Sequence, residues 1–134
     1  PPYTHGNGTP GHFCWSELNT ENYILAFRFY EALFHWKPGR AVNIPDGRVY
    51  QMFAHQSHEI GGMMAIRKGE DLPPHWQQYI HVESVDSAVK KATALGGTLL
   101  VEPHQVPDGA RAACISDPQG AIFNLWSPPI RSNG

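Results

Sequence analysis

One order of elements is written twice along this chain, and that doubling limits the fold more than any single motif. The first copy opens with residues 12–18. Their period-two alternation predicts a strand with Phe13, Trp15 and Glu17 on one face and Cys14 and Leu18 on the other. Asn19-Thr20-Glu21-Asn22 then offers cap chemistry, with Thr20 or Asn22 as the cap. Residues 23–35 predict a helix, because Ile24, Phe27, Tyr30 and Phe34 recur at one-face spacing. Trp36 and Lys37-Pro38-Gly39 are expected to stop it. Strands are expected at 40–44 and 49–55, joined by the turn Pro45-Asp46-Gly47-Arg48, and again at 58–66. The pair Gly61-Gly62 inside the last of these predicts a bulge, or a close approach by another backbone or a ligand.

Residues 67–75 are polar and carry Gly69, Pro73 and Pro74, so they read as a linker. The order then restarts. Residues 76–83 predict a strand with Gln77, Tyr79 and His81 on one face and Ile80 and Val82 on the other. Ser84 is a cap for a helix over 85–95, whose inner stripe is Val85, Ala88, Val89, Ala92 and Leu95, closed by Gly96. Three strands follow at 98–102, 110–116 and 121–126. The turn Asp117-Pro118-Gln119-Gly120 feeds the last, an apolar run interrupted only by Asn124.

The expected organisation is a leader at 1–11, a single domain at 12–127 and a tail at 128–134. Within the domain, module one is 12–66, the linker 67–75 and module two 76–127. The fold class is α+β: two βαβββ modules whose curved mixed sheets line a cleft, with the helices on the convex face.

Charge and composition remove several functions. A formal net charge of −2 argues against nucleic acid or an anionic membrane as the main partner, since both attract a basic face. No apolar run approaches the roughly 20 residues of a membrane span. Pro1 to Gly8 is polar and lacks the pattern of a signal peptide. Cys14 and Cys114 sit in apolar strand patterns, which predicts buried, reduced thiols and a cytoplasmic protein.

Several stretches together are similar to a known family. They are Trp15-Ser16-Glu17-Leu18-Asn19-Thr20, Phe29 to Trp36, Pro73-Pro74-His75-Trp76, Val82 to Ala88, Ala94-Leu95-Gly96-Gly97-Thr98 and Asp117-Pro118-Gln119-Gly120. In this order and spacing the chain resembles the glyoxalase/bleomycin-resistance/extradiol-dioxygenase group, the vicinal oxygen chelate superfamily, over roughly residues 12–127. The resemblance implies one of two lives. Metal-dependent members hold a divalent cation with His, Glu or Gln from four strands, and the metal stabilises an enolate-like charge. Other members carry no metal and bind aromatic molecules between two subunits.

The resemblance places the metal positions near Trp15, near Gly62 or Met63, at Gln77 and at Asn124, the last where such enzymes usually carry a glutamate. Indole, glycine and thioether do not ligate a hard divalent ion, a carboxamide does so weakly, and a catalytic site needs about three good ligands. No metal and no other cofactor are therefore expected. The histidines at 12, 55, 58, 75 and 104 read as solvated surface residues.

What remains is an aromatic cleft lined by Phe13, Trp15, Tyr79, Ile122 and Trp126, with Met63 or Met64 nearby. Gln77, Asn124, Glu17 and His81 are its polar handles, unless these side chains simply fill the space. The expectation is a homodimer that binds a small hydrophobic or aromatic molecule. The alternative is a lyase, isomerase or dioxygenase of the same group. It would use Zn, Ni, Mn or Fe on shifted ligands, or an acid–base set drawn from Glu17, Tyr79 and His81.

Overall fold

The computed structural model describes residues 9–129. The leader before residue 9 and the tail from residue 130 lie outside the described residues. The elements run β1 (Phe13–Thr20), α1 (Tyr23–Phe34), β2 (Lys37–Asn43), β3 (Val49–His55), β4 (His58–Ala65), β5 (His75–His81), α2 (Val85–Ala94), β6 (Thr98–Gln105), β7 (Arg111–Ser116) and β8 (Ile122–Ser127). This is an α+β fold of two βαβββ modules. The chain divides into two compact units. One is Trp15–Gln77, and the other takes Gln78 onward together with the stretch up to Cys14.

In the Trp15–Gln77 unit the strand order is β2-β3-β4-β1. β1 runs parallel to β4, with Glu17 opposite Gly62 and Leu18 opposite Met63, and the other pairs are antiparallel. Asn22 is the cap of α1: its Oδ1 accepts from the Ile24 and Leu25 amides at 3.1 and 3.2 Å. The helix covers one sheet face and buries Phe27 against Leu18, Phe53 and Met63, with Tyr23, Ala26, Tyr30 and Trp36 around them. Each such side chain contributes about 1.5–3 kcal/mol by leaving water. The stripe that meets the sheet is thus 23, 26, 27 and 30, and the flanking Ile24 and Phe34 of the expected stripe stay exposed.

Two local expectations change. The helix ends when His35 adopts the left-handed region (φ 63°) and donates its amide to the Glu31 carbonyl. Lys37-Pro38-Gly39 does not act as a stop beyond it but opens β2. β2 is an edge strand, where a proline without an N–H is tolerated, and its register slips between Pro38 and Ala41. The glycine pair has a packing cause on each face. A Cβ on Gly61 would collide with the Ser16 carbonyl and the Phe53 ring; one on Gly62 would enter the Tyr50 ring. A register shift between Phe53 and Ala54 lies beside them.

In the other unit the order is β5-β8-β7-β6. β5 is parallel to β8, pairing Tyr79 with Asn124 and His81 with Trp126, and the remaining pairs are antiparallel. Ser84 caps α2 by accepting from the Ser87 amide. Val85 and Val89 pack on Ala113, Ile115 and Leu125, with Ala88 and Ala92 beside them. Leu95, the last residue of the expected stripe, is 70% exposed, because the chain turns there into Gly96 at φ +99°. Among the described residues, no helix is long and apolar enough to cross a membrane.

Candidate functional site

Strand alternation decides what the Trp15–Gln77 unit offers to a ligand. Leu18 and Met63 turn to α1, so Glu17, Asn19 and Met64 turn to the opposite sheet face. On that face lies a recess of about 210 Å³, lined by Glu17, Asn19, Arg48, Met64, Ile66, Arg67, Glu70, Leu72, His75 and Gln77. β1 supplies the first two, β4 and the residue after it Met64 and Ile66, and the start of β5 His75 and Gln77. The wall between them is the stretch expected to be a linker.

The polar groups of the recess are held by one another. Glu17 is buried, and the Asn19 amide donates to its Oε2 at 3.1 Å. Arg48 donates from Nη1 to the Ala65 carbonyl at 2.6 Å and from Nε to Asp46 at 2.8 Å. The Arg48 backbone amide also bonds Asp46, and this contact, more than the guanidinium beside it, holds the Asp46 carboxyl below its usual range. Arg67 reaches Asp46 and Glu70 only at 3.8 and 3.7 Å and is largely exposed, so its charge remains at the rim. His75 Nδ1 stands 2.8 Å from the Pro73 carbonyl, which can only accept, so Nδ1 carries the proton. His75 Nε2 then accepts from the Gln77 amide at 3.2 Å.

The expected site residues of this unit fall in three places. Glu17 and Gln77 line the recess. Trp15 lies on the same sheet face, donating its indole N–H to the Tyr50 hydroxyl at 2.7 Å. Met63 is fully buried in the helix-side core, and its neighbour Met64 takes the recess face, one residue being enough to reverse the side. Asn19, Arg48, Arg67, Glu70, Leu72 and His75 were not among the expected set. Asn19 was legible, two positions beyond Glu17 on one strand face, and His75 opens β5 two positions before Gln77 on the same face; Arg48, Arg67, Glu70 and Leu72 sit in turns and irregular chain with no period to read.

In the other unit, Ala113, Ile115 and Leu125 face α2, so Asn124, Trp126 and Ile122 face away, with Tyr79 and His81 paired beside them. Asn124 is only 5% exposed, and its amide donates to the Gln78 carbonyl at 3.4 Å. His81 is equally buried, with the Trp126 ring 5.2 Å away edge-on. These two polar groups are therefore packed into the sheet surface. Of the expected cleft residues in this unit, Phe13 and Ile122 are open, both above 60% exposed.

The residues do not compose an orthodox metal centre. Among the described residues, no group of three His, Cys, Asp or Glu side chains could hold a metal ion. The implied positions carry an indole already bonded to Tyr50, an amide bonded to His75 and an amide bonded to Gln78. Cys14 and Cys114 form no disulfide, and burial pushes the Cys14 thiol up to about 11.

The model of the Glyoxalase/Bleomycin resistance protein/Dioxygenase superfamily matches residues 9–125. CFP32 of Mycobacterium tuberculosis, a protein with a glyoxylase name, is 36% identical over 118 residues, covering 88% of this chain and 44% of the relative. The anthracycline biosynthesis protein DauV of Streptomyces sp. is 32% identical over 122 residues, covering 88% of this chain and 42% of the relative. The chain thus spans less than half the length of these relatives. Among solved structures, methylmalonyl-CoA epimerase from Mycobacterium tuberculosis superposes with a TM-score of 0.69 at 14% identity, covering 90% of this chain and 89% of the other. At that identity the likeness is one of fold. The chain belongs to the Glyoxalase/Bleomycin resistance protein/Dioxygenase superfamily.

Proposed function

We propose that this chain binds a small, flat, mostly apolar molecule, that the recess of the Trp15–Gln77 unit takes it, and that no resident metal is needed. The observation that carries this reading is the mixed lining of the recess. Met64, Ile66 and Leu72 supply apolar surface, and Asn19, Gln77 and His75 supply oriented hydrogen-bonding groups. A volume of about 210 Å³ suits a compact ligand or one ring system of a larger one. The relatives named for anthracycline biosynthesis favour an aromatic ligand. Two copies are proposed to pair, and thiols without a disulfide fit a reducing, cytoplasmic setting.

Calorimetric titration with 1,8-dihydroxyanthraquinone, and with a linear fatty acid of similar mass, tests the reading. Saturable binding of the aromatic probe is expected, weakened at least tenfold by Gln77→Ala and by Leu72→Ala. Binding that ignores both substitutions, or its absence with every flat probe, overturns it.

A second reading rests on Glu17, a buried carboxylate at the recess. It makes the chain a lyase, isomerase or dioxygenase with Glu17 as ligand or base. Stoichiometric zinc, nickel, manganese or iron in protein purified without chelator, lost in Glu17→Gln, would establish that reading over the first.

A further inference from the structure

The recess lining carries two side-chain amides, Asn19 and Gln77, both half-buried. A carboxamide has a donating end and an accepting end of nearly equal size, so either can face a ligand. Their neighbours fix which end does. The Pro73 carbonyl can only accept, so His75 Nδ1, 2.8 Å away, carries the proton. The other nitrogen of the neutral ring, Nε2, is then an acceptor, and the Gln77 nitrogen donates to it at 3.2 Å. Gln77 Oε1 is therefore the branch of the amide that points away from His75. A different acceptor settles Asn19 in the same way. Its Nδ2 donates to Glu17 Oε2 at 3.1 Å, which turns Oδ1 away from Glu17.

The cationic donors of the recess are committed elsewhere. Arg48 spends Nη1 on the Ala65 carbonyl at 2.6 Å, and Nε and Nη2 on Asp46 at 2.8 Å each. Arg67 stands at the rim between Asp46 and Glu70, with its side chain 64% exposed. Between them lie two amide oxygens and the Glu17 carboxyl. Every such oxygen has two lone pairs, so one hydrogen bond does not exhaust it.

We propose that the recess selects flat ligands that present hydrogen-bond donors, in the simplest case an arene with two hydroxyl groups, and that Gln77 Oε1 and Asn19 Oδ1 accept from them. A ligand whose hydroxyls are methylated keeps its oxygens and loses its protons. It sets lone pairs against lone pairs and leaves both amide oxygens desolvated without a partner. His75 acts through Gln77, as a positioning residue that keeps the accepting end of the amide turned outward. The inference rests on the recess being the ligand site proposed above, and it adds the polarity of the ligand.

Calorimetric titration near neutral pH with 2,7-dihydroxynaphthalene and with its dimethyl ether tests it. The hydroxyls keep their protons there, since a phenol ionises at about pH 10. The diol is expected to bind at least about tenfold tighter than the ether, the worth of two ordinary hydrogen bonds. Gln77→Leu and Asn19→Leu, with unchanged circular dichroism spectra, should each cut that preference by about threefold or more. His75→Phe keeps a ring in place but takes away the acceptor that holds the Gln77 amide, so the preference should fall again; a role in packing alone would leave the ratio unmoved. An ether that binds as tightly as the diol, or a preference that survives both leucine substitutions, overturns the inference and leaves the recess reading standing. Silence from both naphthalenes also overturns it, and the recess reading falls with it when the anthraquinone is silent too.

Discussion

α1 and α2 hold the same place in their modules, between the first and second strands, yet their outer faces are opposites. Of the twelve residues of α1 only Arg28 and Glu31 are charged, and Leu25, Phe29 and Leu33 stand more than half exposed. α2 is ten residues long and spends Asp86, Ser87, Lys90, Lys91 and Thr93 on its outside. The inner faces follow one logic: Phe27 on Leu18, Phe53 and Met63 in one unit, Val85 and Val89 on Ala113, Ile115 and Leu125 in the other. Topology constrains only the side that meets the sheet. The outer side is left to surroundings, and a water-facing helix has no use for a ridge of leucine and phenylalanine.

The largest test of that comparison is the equality of the two cores. Met63 and Ile115 are both fully buried on the helix side of their sheets. Met63→Ala and Ile115→Ala are each expected to cost about 2–5 kcal/mol in urea unfolding. A cost below about 1 kcal/mol for one alone would show that its module is not packed by the same rule. A smaller effect separates the modules. Gly61→Ala is expected to cost about 1–3 kcal/mol, since the new methyl meets a main-chain carbonyl as well as the Phe53 ring. β8, the counterpart of β4, contains no glycine and has no such site. A neutral Gly61→Ala would mean that β1 and β4 can part without loss.

The smallest effect concerns one ion pair in each module. Arg40, chiefly by side-chain hydrogen bonds, holds Glu59 below its ordinary value of 4.5, and Arg111 likewise holds Asp86 below 3.8. Both carboxyl values are lowered on folding. Their contribution is therefore present above those ordinary values and fades as pH falls through the folded ones. Arg40→Ala should flatten the drop in melting temperature between about pH 5 and pH 3 by an amount worth less than about 1 kcal/mol, after screening by solvent. Arg111→Ala should do less, because Asp86 is the more open partner. A steeper acid limb in either variant would contradict the pairing.

The doubled order was legible because it rests on periodicity: β3 spans the expected Val49–His55, and both helices start where Asn22 and Ser84 cap them. The placement of Glu17 opposite Leu18 followed from alternation alone. Met63 and Met64 show the limit of that signal. A run with two glycines followed by two methionines has apolar character on both faces, and only the pairing of Leu18 with Met63 says which methionine faces the helix. The recess wall was illegible for a different reason. Arg67, Glu70 and Leu72 occupy chain without repeating structure, and their position depends on where β4 ends and β5 begins. Asn124 was visible as a polar interruption, but its burial could not be read from the strand that contains it.

The second residue of β5, Trp76, stands between two side chains that face the other way. Trp76 points away from the recess, edge-on to Trp36 at 6.1 Å and to Phe53 at 6.0 Å, and its indole N–H reaches the Tyr30 hydroxyl at 3.3 Å. His75 and Gln77, on either side of it, line the recess. Trp76 thus shares its stretch of backbone with two recess side chains while its ring lies on the other sheet face. The Trp36–Trp76 pair, 6.1 Å apart, is close enough for excitonic coupling, so a change in its circular dichroism couplet is the expected optical sign that the proposed ligand has entered the recess.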